Sequence, residues 1–313
     1  RLAEFLFRWT GESRFADYWE RNLYNGIMAQ GYWDGHSNAT NGECHDHPMT
    51  GLLTYFLPLR GGARKFWASR TQDFFCCHGS LVQANASHTN GMYYHDDDSI
   101  AVCQYFDSVL TSEFGGQRIT LEQKIDPLNG TNHTSSDSAG TQAINRLTRV
   151  YQHDPNKLAV RFRIKTDKAV RFTLKLRVPF WLKGEPVVAV NGEPVSVKAD
   201  ERGFLEVTRD WQDDEVYLEL QKGITVCPLP GDDTRIAFLN GPIVLAGLCD
   251  EERTLYAESD QPLETLLEPD NEREWGNWKQ TFRSVGQDRG IRFWPLYQIG
   301  YDRYSVYFPV KRR

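Results

Sequence analysis

From Ser99 to Gly223 the sequence alternates apolar and polar residues in short runs, and this constrains the fold more than any other feature. SIAVCQYF, RITLEQKI, AINRLTRVY, KLAVRFRI, RFTLKLRVPFW, PVVAVNG, FLEVTRDW and EVYLELQKG carry the pattern. Turn signals separate them about every 8 to 12 residues. A period of two puts one side of each strand into a core and the other into water, so the region predicts an antiparallel β-sandwich. NGEP at 191–194 predicts a hairpin turn, and WQDDEVYLEL a closing strand preceded by its own turn. Next comes IAFLNGPIVLAGL, a nearly continuous apolar run that reads as a buried strand. A poorly patterned acidic stretch, 250–285, separates it from the extended RFWPLYQIGYDRYSVYFPV.

The residues before this region have a different period. In RLAEFLFRW, Leu2, Phe5, Leu6 and Trp9 keep helical spacing, and Gly11 predicts the C-terminal cap. FADYWERNLYNGIMAQ repeats the pattern with Phe15, Tyr18, Trp19, Leu23 and Ile27, which predicts an antiparallel helix pair joined by a short GES turn. GYWDGHSNATNGECHDHPMT at 31–50 has no period and predicts a long loop of the functional or disordered kind. LLTYFLPL reads as extended, GGARK as a turn, and SLVQANASHTNG as a helix reaching Gly91. Helices first and sheets afterwards favour segregated domains over a doubly wound α/β fold.

Composition narrows the partners. The 313 residues carry a net charge of −6, and apart from the last three residues they hold no Lys/Arg block, which argues against a nucleic-acid partner. No apolar run approaches the roughly 20 residues of a membrane span. A sugar or another neutral substrate fits better. Aromatic residues make up 13% of the chain and read first as sandwich core and edge residues, with stacking on sugar faces as one further use. Sequons at Asn38, Asn85, Asn129 and Asn132 lean toward a secreted protein, although Asn85 falls in a predicted helix.

Six cysteines are too few for a disulfide scaffold, but two of them are adjacent. Cys76 and Cys77 stand in FFCCHGS at a predicted helix start, where the free N–H groups and the dipole favour a thiolate. Such a thiolate serves as nucleophile, as zinc ligand, or as both. The competing reading is that a cysteine pair after two phenylalanines fills a core. Glu43, Cys44, His45 and His47 offer further ligand types, but ECHDH is not a zinc spacing and reads as a solvated loop. A redox role is disfavoured because no CxxC stands in a βαβ context.

FADYWERNLYNGIMAQ, LLTYFLPLRGGARKFW, TQDFFCCHGS, YYHDDDSIAVCQYF, GPIVLAGL and FWPLYQIGYDRYSVYF, in this order, resemble the glycoside hydrolase family 127 β-L-arabinofuranosidases and their family 146 relatives. The resemblance runs along nearly the whole chain. It implies an α+β multidomain fold: residues 1–92 the C-terminal helices of an (α/α)6 barrel, 93–230 an antiparallel β-sandwich domain, and 231–313 a C-terminal β-rich domain. It also implies retaining hydrolysis of a β-L-arabinofuranose or related sugar of plant glycans. In that chemistry Cys76 is the nucleophile and Zn2+ is held by Cys76 and Cys77. The family's Glu-x-Cys element and its acid/base Glu precede the RLAEFLF-like run, so the chain is expected to be the C-terminal part of such an enzyme and catalytically incomplete alone.

Three further residues are candidates for substrate binding. Tyr55 and Trp67 lie beside the cysteine segment and either line the sugar subsite or pack the barrel wall. His78 departs from the Tyr, Val or Thr of relatives and is open as a third ligand, a substrate contact or a neighbour of the helix cap. The alternative from another class is a non-catalytic carbohydrate-binding or structural β-sandwich protein with a vestigial cysteine pair. Oligomeric state is not legible in the sequence.

Overall fold

The structure, a computed structural model, describes residues 2–34, 50–68, 73–125, 157–270, 273–274, 277–278 and 280–313. AINRLTRVY, the ECHDH loop and the sequons at Asn38, Asn129 and Asn132 lie outside the described residues. What is described is mostly β-sheet with few helices. It divides into two compact units: Arg1–Trp19, Thr89–Gly223 and Asn271–Gln280 in one, and Glu20–His88, Ile224–Asp270 and Thr281–Arg313 in the other.

The chain opens with α1 (Leu2–Thr10) and α2 (Ser13–Asn22). Gly11 closes α1 as its spacing predicts: at φ +67° it occupies the left-handed region, and its N–H donates to Phe7 O at 2.7 Å. The second helix does not stop at Asn22 but changes pitch, through a π turn at Leu23–Ile27 and a 3-10 turn at Met28–Gln30. Strands β1 (Gly31–Asp34) and β2 (Thr50–Leu53) pair antiparallel. Helix α3 (Cys76–Asn85) is shorter than its periodicity predicts and gives way to a 3-10 turn at His88–Gly91.

The first unit is built on one sheet of eight strands: β3 (Tyr93–His95), β4 (Ser99–Val102), β5 (Ser108–Phe114), β6 (Gln117–Ile125), β7 (Lys157–Arg177), β8 (Val187–Val190), β9 (Glu193–Pro194) and β10 (Phe204–Gln221). KLAVRFRI and RFTLKLR, two runs in the sequence, are one 21-residue strand, β7. They keep the same parity across the intervening polar residues, so Val160, Phe162 and Ile164 share a buried cluster with Phe172, Leu174 and Leu176. Its partner β10 also runs on where WQDD predicts a turn. There the β7–β10 ladder only slips register, between Trp211 and Asp213.

The polar residues that imitate a turn instead hold this bulge. Asp214 accepts the Gln212 N–H at 2.9 Å and the Asn191 amide at 2.8 Å. Asn191, at φ +53°, begins the predicted NGEP hairpin between β8 and β9. The bulge therefore leaves Trp211 fully buried, its indole N–H donating to Phe172 O at 2.9 Å.

Arg177, at the end of β7, has no exposed side-chain surface. Its guanidinium pairs with Asp17 of α2 and donates from Nε to Cys103 O at 2.6 Å, while Tyr105 lies 5.7 Å below it. A buried cation is tolerable only with such partners.

The second unit holds a nine-stranded sheet in the order Leu255–Ala257, Phe308–Arg312, Asp232–Asn240, Ile243–Leu248, Arg292–Pro295, Phe282–Ser284, Leu267–Pro269, with Ile224–Leu229 and Tyr304–Ser305 paired off that path. GPIVLAGL is buried as its composition predicts, and Phe238, Phe293 and Phe308 fill the core beside it. Across this unit GGARKFW docks on LYQIGYDRY. Ala63 bridges Tyr304, Arg303 donates to Gly62 O at 2.9 Å, and the Trp67 indole donates to Gly300 O at 2.8 Å.

Lys65, 2% exposed, sends its ammonium to Leu296 O at 2.8 Å and Ile299 O at 2.9 Å, with the Trp67 ring 5.3 Å away. Burial lowers its pKa from 10.5 to about 7 against the opposing pull of the ring. A neutral amine keeps two N–H groups, so both carbonyls stay satisfied when the proton leaves. Below pH 7 folded and unfolded chains both hold this proton and the burial cost is present in full. Between pH 7 and 10.5 only the unfolded chain holds it, so stability should rise with pH across that window. Urea unfolding of the wild type and of Lys65→Met at pH 6.5 and 9.5 should show about 1 kcal/mol or more of extra gain with pH in the wild type. Equal gains in both proteins would contradict the assignment.

Candidate active site

All five sequence candidates lie in the second unit, and four come together. Helix α3 begins at Cys76 with Phe75 as its N-cap, so the two thiols occupy the first two helical positions. Both are exposed, whereas Cys103 of the other unit is buried and serves as core filling. Phe74 and Phe75 are exposed as well, at 67% and 54%, so within this chain FFCC packs into no core.

The sulfurs of Cys76 and Cys77 are 3.8 Å apart. With metal–sulfur bonds of about 2.3 Å, two thiolates on a tetrahedral zinc lie about 3.8 Å apart, so the pair has the spacing of one edge of such a site. Among the described residues no third His, Cys, Asp or Glu joins them in a group able to hold a metal. The pair thus fits half of a four-ligand site.

Tyr55 follows β2 and is held at the backbone by Gln30, whose amide donates to Thr54 O at 3.3 Å and Tyr55 O at 3.0 Å. Its hydroxyl lies 2.9 Å from Cys77 Sγ. The hydrogen bond to Cys77 is the largest cause pushing the Tyr55 pKa up to about 12, so near neutral pH the phenol keeps its proton and can donate it to sulfur. Hydrogen bonds from Cys77 and then Tyr55 lower the Cys76 pKa below its ordinary value of 9.0. An exposed thiol of lowered pKa at a helix start has the chemistry to serve as a nucleophile or as a soft ligand.

His78 is buried at 1% exposure. Its ring lies 5.8 Å from Tyr55 and 5.5 Å from Phe75, and Nδ1 accepts the Phe75 N–H at 3.1 Å. Trp67 bridges Thr54 through the backbone, but its ring stacks on Tyr32 at 5.3 Å and its N–H goes to Gly300. The ring and indole N–H of Trp67 thus meet Tyr32, Lys65 and Gly300 rather than the thiols. Sequence reasoning missed Gln30 and the exposed Phe74 and Phe75. A glutamine ending an amphipathic helix gives no signal of a contact with a strand more than twenty residues away.

The profile of the family 127 β-L-arabinofuranosidase catalytic domain matches residues 1–90, which contain the whole constellation, and that of the family's middle domain matches 133–222. This chain belongs to glycoside hydrolase family 127. Solved structures agree in fold. Ara127N-Se, a family 127 β-L-arabinofuranosidase from Geobacillus stearothermophilus T6, superposes with a TM-score of 0.61 at 19% identity, over 99% of this chain and 48% of its own. A second family 127 β-arabinofuranosidase gives 0.66 at 18% identity, over 99% and 48%. A further glycoside hydrolase gives 0.64 at 19%, over 98% and 50%. The chain thus spans about half the length of the solved structures it matches. Comparison with curated protein sequences gives no match.

Proposed function

We propose that this family 127 chain carries the nucleophile of a retaining glycosidase that releases β-L-arabinofuranose or a related sugar from plant glycans. The observation that carries the reading is the exposed Cys76–Cys77 pair at the start of α3, its sulfurs 3.8 Å apart and Tyr55 on one of them. Cys76 and Cys77 are the zinc ligands of this chain. A zinc ion held there would favour the deprotonated Cys76 thiol and make it a workable leaving group. Among the described residues the three α-helices all lie before residue 86, which supports reading 1–92 as the end of an (α/α)6 barrel ahead of β domains at 93–230 and 231–313.

The Cys76 thiolate attacks the anomeric carbon, forming a C–S bond as the bond to the departing oxygen breaks. A carboxylic acid of the full active site protonates that oxygen. Water then attacks the same carbon from the vacated face, the C–S bond breaks, and the carboxylate takes the proton from water. Two displacements restore the starting configuration. Tyr55, held as a donor beside Cys77, and the buried His78 stand at the edge of the space where a sugar would lie, and Trp67 supports the segment that presents Tyr55.

The test is stereochemical. With the full-length protein, an aryl β-L-arabinofuranoside and added methanol, the first product seen by proton NMR should be methyl β-L-arabinofuranoside. The α-anomer as first product would exclude a covalent intermediate on Cys76. Absence of turnover with this and related furanosides and pyranosides would favour the non-catalytic carbohydrate-binding reading.

A further inference from the structure

We propose that His78 is the positioning residue of the cysteine pair and not one of its ligands, an inference that rests on reading Cys76 and Cys77 as the reactive site. Phe75 is the N-cap of α3, and His78 occupies the third helical position. The first N–H groups of a helix have no helical acceptor, and a Glu or Gln at this third position commonly reaches back to accept the N-cap N–H. Here an imidazole does so: Nδ1 accepts from Phe75 N at 3.1 Å, while the His78 N–H donates to Phe75 O at 2.9 Å. The turn that carries both thiols is closed on itself by one side chain.

That side chain is also the buried member of its neighbourhood. Phe74 and Phe75 are exposed, and their rings lie 5.8 Å and 5.5 Å from the imidazole. The Tyr55 ring is 5.8 Å away on the part of the chain that brings the hydroxyl to Cys77. His78 therefore touches both things that fix the sulfurs: the backbone turn they stand on and the tyrosine that holds one of them.

The hydrogen bond also decides what the ring cannot do. With Nδ1 occupied as an acceptor, the proton of the neutral imidazole sits on Nε2. Nε2 is buried and has no partner among the described residues. Neither nitrogen thus offers a free lone pair to a metal held by the thiols. The ring is a prop with one lone pair committed to the backbone.

The experiment uses the full-length protein stripped of metal and titrated with cobalt(II) alone, following sulfur-to-cobalt charge-transfer absorption. His78→Phe keeps an aromatic ring but has no acceptor for the Phe75 N–H, and His78→Gln restores an acceptor at the same helical position. The Phe variant should bind cobalt about 10-fold or more weakly, and the Gln variant should return to within about threefold of the wild type. In the metal-free proteins, alkylation of Cys76 by iodoacetamide should slow in the Phe variant and recover in the Gln variant. A ligand role would instead make the Gln variant as weak as Cys77→Ser, and a bystander role would leave the Phe variant unchanged; either result overturns the proposal. Should the Phe variant not fold, the Gln variant decides by the same criterion. If the wild type itself binds no cobalt, the zinc reading fails, and the alkylation rates alone decide for His78.

Discussion

Replacing Cys76 by alanine is expected to lower kcat of the full-length enzyme by about 10^3-fold or more on aryl β-L-arabinofuranosides, because no other group would form the covalent intermediate. KM should change far less, since the thiol is small and bonds to substrate only as the reaction proceeds. Serine should not substitute. A hydroxyl is far harder to ionise than a thiol, and the hydrogen bonds from Cys77 and Tyr55 that lower the Cys76 pKa cannot close that gap. The same lowering predicts that the acid limb of kcat/KM lies below the ordinary thiol value of 9.0. Single-turnover kinetics with mass spectrometry provide the check: the wild type should show a glycosyl adduct on Cys76 and the alanine variant none. Activity of the alanine variant within about tenfold of the wild type would remove Cys76 from the mechanism.

The second large effect is on stability. Arg177→Ala is expected to cost about 3 to 5 kcal/mol, because it leaves Asp17 facing a buried site without its cation. The side chain of Asp17 is 13% exposed, so water cannot fully replace the lost partner. Cys103 O loses its donor as well. In urea, fluorescence of the buried Trp211 should report an earlier transition for this variant. Asp17→Asn should also destabilise, and the double variant Asp17→Asn with Arg177→Met should cost less than the sum of the singles, since each change removes the same pair. A transition for Arg177→Ala within about 1 kcal/mol of the wild type would show that the pair contributes nothing.

What the sequence discloses depends on how local the cause is. The β region is legible because alternation states which side of each strand is buried, and Gly11 and NGEP are legible because a left-handed residue is needed at each place. The continuity of β7 is not legible: KTDKA reads as a turn, and it is where the β7–β10 register jumps, from Lys165 opposite Asp213 to Val170 opposite Trp211. WQDD misleads for a related reason, since a bulge and a turn recruit the same aspartates and amides. At the site, the helix start at Cys76 follows from neighbouring residues. Whether FFCC is core or surface does not, because that depends on what packs against α3. The back-bond from His78 is local and was within reach of the capping rule, but the histidine at that position hides it behind the ligand chemistry its type suggests.

The docking of GGARKFW on LYQIGYDRY has a consequence in time. Trp67 and its acceptor Gly300 are 233 residues apart in the chain. At roughly 5 to 20 residues per second, the acceptor leaves the ribosome about 10 to 50 s after the tryptophan. During that interval Trp67 is on a nascent chain whose acceptor has not been made, and contacts of such sequence separation are also the slowest to close. The segment that presents Tyr55 to the thiols is therefore among the last parts of the second unit to set. In a cell, the yield of active protein should respond to chaperones that shelter aromatic segments during synthesis.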